Sequence, residues 1–175
     1  MTSTILRALG ATVMGMGMAT GTLAQVSTNR VAAETDWSVF VEESPKECWA
    51  VSAPKETVNT RDGKPVTVRR GDILLFVTYR PGTAEGEVSF SGGYPFAGGS
   101  TVDLDIAGTK FDLITDGEWA WAGSKEEDAK VIAALKSGAS ATLTARSARG
   151  NQTRDTFSLL GISAALAEAA KRCAS

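Results

Sequence analysis

The sequence has no histidine, only two cysteines in 175 residues, and no apolar run long enough to cross a membrane. Without histidine there is no imidazole general base, no Ser-His-Asp or Cys-His nucleophile, and none of the commonest zinc ligand. Charge of one sign is also missing: 18 basic against 20 acidic residues leave a formal charge of −2. That balance supplies no basic footprint for nucleic acid or for an anionic membrane surface. What remains is the composition of an ordinary folded protein, 43% hydrophobic and 22% charged. The length suits one domain, able to bury roughly two-thirds of its unfolded surface without a metal.

Residues 1–24 carry a single charge, Arg7, ahead of the apolar stretch from Ala8 to Ala19. Small residues then lead to Ala24. A positive start, a short apolar run and a small-residue cleavage site predict a secretory signal peptide cut after Ala24. Neither that site nor a later one after Ala33 is followed by a cysteine, so no lipid-modified terminus is expected. The chain is therefore expected to be periplasmic or secreted, with no membrane span after cleavage. Export gives the cysteines an oxidising compartment, in which two thiols read as one structural disulfide. Cys48 and Cys173 lie 125 residues apart, unlike the closely spaced pair of a redox dithiol.

Residues 25–35 are small and polar, without period, and read as a flexible lead-in to a single domain over 36–175. Two-residue alternation begins at Asp36, where Trp37, Val39 and Val41 alternate with Ser38, Phe40 and Glu42. Further strands are expected at 48–53, 73–79, 87–90, 139–146 and 152–159, with Asp62-Gly63 as a hairpin turn and Pro65 marking a sheet edge. Taking Ala107-Gly108 as a two-residue turn pairs Leu104 with Phe111 and Val102 with Leu113 on one face. Asp105 then meets Lys110, and Asp103 meets Asp112, on the other. The Asp103–Asp112 pair, with Asp105, could mark a cation site, but these acids lack calcium-loop spacing and fit a solvated sheet face better. Helical period appears twice. Ser124 and Glu127 form a capping box for a helix over about 124–137, with Ala129, Ile132, Ala133 and Leu135 on its apolar side and Gly138 at its end. Ile162, Ala165, Leu166, Ala169, Ala170 and Cys173 form the stripe of a second helix over about 162–173, which turns Cys173 inward. The expected fold is mainly β, an antiparallel sandwich or curled sheet with two short helices.

Several motifs invite functional readings. Ser52-Ala53-Pro54-Lys55 has the letters of the S-x-x-K serine enzymes, but it closes a strand and lacks their companion motifs. Arg70-Gly71-Asp72 spells an adhesion tripeptide, though Gly71-Asp72 also suits a turn feeding the next strand. Asn151-Gln152-Thr153 is a formal glycosylation sequon. The glycine-flanked Tyr94 and Phe96 could present a ligand surface or plug the core. Trp119 and Trp121 share one strand face; exposed they form a stacking platform, buried they are core, the commoner fate of large aromatics. Phosphate-loop signatures are missing, and no cofactor or metal is implied.

Taken together, Asp36-Trp37-Ser38-Val39, Cys48-Trp49-Ala50-Val51, Arg69-Arg70-Gly71-Asp72-Ile73-Leu74-Leu75 and Gly117-Glu118-Trp119-Ala120-Trp121 resemble the invasion-associated locus B family of alphaproteobacterial envelope proteins. The stretch Asp155 to Ile162, followed by an alanine-rich helix, extends the resemblance to residues 36–173. It implies an exported protein without known catalytic residues, named for host-cell invasion in some pathogens. Phe40 stands where the family pattern has a cysteine, so the family's disulfide arrangement does not transfer. Two functions are expected to compete. One is a non-catalytic envelope protein binding a protein, glycan or small ligand. The other is a histidine-free hydrolase using carboxylates such as Asp112, Asp116 and Glu118, which would need two carboxyls set across a cleft.

Overall fold

Twelve strands and the two expected helices make up the computed structural model, which describes residues 29–83 and 85–174. The leader expected over 1–24 lies outside those residues. The strands are β1 (Arg30–Glu34), β2 (Trp37–Glu43), β3 (Lys46–Ser52), β4 (Glu56–Arg61), β5 (Lys64–Pro65), β6 (Leu74–Tyr79), β7 (Glu87–Ser91), β8 (Thr101–Ile106), β9 (Thr109–Asp116), β10 (Trp119–Trp121), β11 (Ser140–Arg146) and β12 (Gln152–Ser158). The helices are α1 (Lys125–Ser137) and α2 (Ile162–Cys173). All pairings are antiparallel, in the order β1-β2-β3-β6-β7-β10-β9-β8-β11-β12-β4-β5, with β1 and β5 as open edges. The sheet is mainly antiparallel and unclosed, curled so that its two halves face each other.

Alternation explains the core. Trp37, Val39 and Val41 point inward from β2, Leu75 and Val77 from β6, and Leu104, Leu143 and Phe157 from the opposite half. Phe90 meets Phe157 edge-on at 6.2 Å between ring centroids, joining the halves. The Trp37 indole N–H donates to Ser158 O at 3.0 Å, so its polar tip is satisfied where its rings are buried. The β8–β9 hairpin has the pairing expected from its sequence, including Leu104 opposite Phe111 and Asp103 opposite Asp112. Lys110 pairs with Asp103 at 3.3 Å and Asp105 accepts from the Gly108 N–H, so these acids are occupied locally.

Two local expectations need correction. Residues 30–34 are not a free lead-in but strand β1, paired to β2 through Ala32–Val39, Ala33–Ser38 and Glu34–Trp37. An edge strand is held by backbone hydrogen bonds, which need no apolar alternation. In α1, Ser124 accepts from Glu127 N, but the Glu127 carboxylate reaches the Gly123 N–H instead of closing the box on Ser124. The buried face of α1 is Asp128, Val131 and Leu135, with Ala129 and Ala133 exposed and Ile132 half-buried. Asp128 is buried because its carboxylate accepts from the Val88 N–H at 2.8 Å. Desolvation raises its pKa above the usual carboxylate value, opposed by that hydrogen bond.

Helix α2 covers the inner face of β2, β3 and β6 with Ile162, Ala165, Leu166, Ala169 and Cys173. Gly161 starts it at φ +91°, and a side chain there would run into Glu34 O. Cys173 forms a disulfide with Cys48 on β3, the Cα atoms 5.6 Å apart and both residues buried. This bond ties the C-terminal helix to the central strands and closes 125 residues of chain.

Candidate binding surfaces

Among the described residues both helices pack on the inner face, which leaves the outer face of β2, β3, β6, β7 and β10 uncovered by them. Residues out of phase with the core collect there. Phe40 pairs with Trp49 across β2–β3 and their rings stack at 5.8 Å, 8° from parallel. Phe76 on β6 meets Trp119 on β10 at 5.6 Å, and Trp119 stacks with Trp121 at 6.3 Å. Trp119 is 40% exposed, and the others are half-buried. Trp49, Phe76, Trp119 and Trp121 line a shallow groove of about 320 Å³ with Thr78 and Ser89. At its rim Arg80 bridges Glu47 at 2.7 Å and Glu87 at 3.0 Å, and those carboxylates raise the guanidinium pKa.

Of the expected surface residues, the tryptophan pair therefore lies on an open face. Phe96 does not: it is buried, 6.1 Å from Phe90, and cannot present a ligand surface. The glycines beside it allow close packing. A side chain on Gly92 would strike the Phe96 ring, and Gly93, at φ +69°, lies against the backbone of Gly71. Tyr94 is half-buried, its ring under the Arg70 guanidinium at 4.9 Å and its hydroxyl bonded to Thr153. Burial raises its phenol pKa, against the pull of the Thr153 bond and Arg70. Phe40, Trp49 and Phe76 belong to the open face too. Phe40's outward parity was visible in the β2 alternation, but its neighbours are fixed only by strand order.

The short motifs resolve locally. Arg70 makes a two-pronged ion pair with Asp155, both contacts at 2.7 Å, and also donates to Gly92 O at 2.9 and 2.8 Å. Its side chain is 5% exposed and that of Asp155 0%, so the tripeptide arginine faces inward. Asn151 is buried and accepts from Arg61 Nε at 2.9 Å, which engages the sequon's amide oxygen. Ser52 Oγ donates to Asp36 O while Lys55 pairs with the Asp36 carboxylate, so no serine–lysine pair forms. Asp112, Asp116 and Glu118 are exposed on β9 and the following turn. Among the described residues, no group of three or more acids and cysteines is placed to hold a metal, and no helix is long and apolar enough to cross a membrane.

These features define a disulfide-closed antiparallel β domain, helix-backed on one face and aromatic on the other. The family described as "Invasion associated locus B (IalB) protein" matches residues 37–170, and the chain belongs to that family. Among solved structures it is similar to the invasion associated protein B of Bartonella henselae, at 17% identity and a TM-score of 0.50. That likeness spans 78% of this chain and 93% of the other, and it shows the fold. No curated protein matches the chain.

Proposed function

We propose that the protein is an exported, non-catalytic envelope protein that binds a glycan or protein partner on the aromatic outer face of its sheet. The observation that carries this reading is the grouping of Phe40, Trp49, Phe76, Trp119 and Trp121 on a sheet face that neither α1 nor α2 covers. Sheet faces turned to solvent are usually polar, and clustered aromatics on one mark an interaction site. Tryptophan offers broad contact area at little conformational cost, and the rim carboxylates, Arg80 and hydroxyls supply directional hydrogen bonds. A buried disulfide suits an oxidising compartment, in keeping with periplasmic or secreted location. A carboxylate hydrolase is less well supported, because Glu118 and Asp112 line different clefts and the buried acids among the described residues are otherwise engaged. Asp155 is paired with Arg70, and Asp128 holds the Val88 N–H.

The test is photo-crosslinking in cells with the reactive group at Ile114, which is 58% exposed and paired with Trp121. Parent and Trp119→Ser/Trp121→Ser proteins are compared, together with a glycan array of the purified chains. A specific adduct or glycan signal that the double variant loses is expected. The same capture by both proteins, or bulk envelope proteins alone, would overturn the proposal.

A further inference from the structure

A second concavity lies where residues 66–72, the 92–95 turn and the β11–β12 connection converge. Its volume is about 480 Å³, within the range of small-ligand pockets. Four of the chain's ten arginines line it and none of its eight lysines does. In a chain with a formal charge of −2, that is a local reversal of sign.

The four guanidiniums are not equivalent. Arg70 is consumed by Asp155 and Gly92, and serves as wall. Arg61 is held by Asn151 Oδ1 at 2.9 Å and Arg149 O at 3.2 Å, which fixes its plane and leaves Nη1 unpaired. Arg69 and Arg149 are exposed and have no side-chain partner among the described residues. Glu118 is the one acid on the lining, so the surplus is positive after Arg70 and Asp155 cancel. Guanidinium forks match the paired oxygens of carboxylates and phosphates, whereas lysine acts as a point charge. Val68, Tyr94 and Pro95 give the same cleft an apolar wall, which a bare inorganic ion would not use.

We propose that this cleft binds a small organic anion, its carboxylate or phosphate seated between Arg61, Arg69 and Arg149 and its carbon body against Tyr94 and Pro95. The site is separate from the aromatic face and does not depend on the reading above. Glucuronate, glucose 6-phosphate and glucose are titrated into the purified disulfide-bonded protein by calorimetry and by amide-shift mapping. One or both anions are expected to bind with a dissociation constant of about 1 mM or tighter, and glucose at least about tenfold more weakly. Preference for the uronate assigns a carboxylate ligand and preference for the ester a phosphate ligand; either upholds the site. Arg69→Ser/Arg149→Ser breaks no hydrogen bond or ion pair of either side chain among the described residues and should weaken the bound anion about tenfold or more. Arg154→Ser, an exposed arginine outside the cleft, should leave binding unchanged. Three sugars that bind alike or fail to bind, or a double variant that loses no more than Arg154→Ser, would overturn the proposal.

Discussion

The buried Arg70–Asp155 pair gives the sharpest prediction about stability. The pair joins the 66–72 segment to β12, 85 residues further along the chain. Removing one partner strands the other charge where water cannot reach it, because the side chains are 5% and 0% exposed. For Asp155→Ala, Arg70 would keep its bonds to Gly92 O but lose both carboxylate contacts. Breaking such a pair costs about 3–5 kcal/mol, a large part of the 5–15 kcal/mol typical of a domain. With a urea slope of about 2 kcal/mol/M, the midpoint should fall by about 1.5–2.5 M. Arg70→Met/Asp155→Leu removes both charges and should cost well under the sum of the single changes, since an apolar pair can replace a buried ion pair nearly neutrally. Urea unfolding of the disulfide-bonded parent, Arg70→Met, Asp155→Leu and the double variant measures the cycle. Single variants that each cost under about 1 kcal/mol, or a double variant equal to their sum, would refute the argument.

Reduction, or Cys48→Ser/Cys173→Ser, should destabilise the fold by about 4–5 kcal/mol on the chain-entropy argument for a 125-residue loop, read as a loss of urea midpoint. Thiol labelling of the folded protein should be negligible before reduction and involve both cysteines after it. Gly161→Ala should cost about 1–3 kcal/mol, because a side chain at φ +91° meets Glu34 O; thermal unfolding checks it, and a neutral result would remove that constraint. Burial raises the Asp128 pKa in the folded state, so the folded chain holds that proton more tightly than the unfolded one. The penalty of the charged form is full above the folded pKa and fades as pH falls toward the unfolded value. Asp128→Asn keeps an acceptor for the Val88 N–H, so it should be more stable than the parent at pH 7 and converge with it on acidification. A pH-independent difference between the two stability curves would refute this.

What the sequence revealed followed from where each element's energy comes from. The β8–β9 pairing was legible because a two-residue turn fixes the register and one-residue slippage would expose Leu104, Val102 and Leu113. Helix α2 was legible because its stripe is unbroken over three turns, and the same stripe aimed Cys173 at Cys48. Strand β1 was hidden, since an edge strand of small residues is stabilised through backbone groups that every sequence carries. On the buried side of α1 Leu135 was legible, but Asp128 was not, an acid whose burial depends on one backbone N–H from β7. The aromatic face was half legible: Trp119 and Trp121 share a face by parity alone. Their union with Phe76, Trp49 and Phe40 requires the order β2-β3-β6-β7-β10, which alternation does not encode. Arg70 was misleading for a similar reason, as a local tripeptide whose true partner is remote.

The buried ion pair has a role beyond its contribution to stability. Arg70 binds Asp155 and Gly92 O, Gly71 N donates to Gly93 O at 2.8 Å, and Gly92 N donates to Glu118 O at 3.2 Å. This chain of bonds runs from β12 through two glycine-rich turns to the β9–β10 turn. Glu118 lines the arginine cleft, while Trp119, the next residue, stands on the aromatic face. An apolar replacement of the pair removes both buried charges but leaves the Gly92 carbonyl without its donor, because only a donor can hold it. The ion pair thus ties β12 to the turn that leads into both surfaces. Both surfaces meet at one short turn, so displacement of Gly92 would be transmitted to the cleft and to Trp119 together.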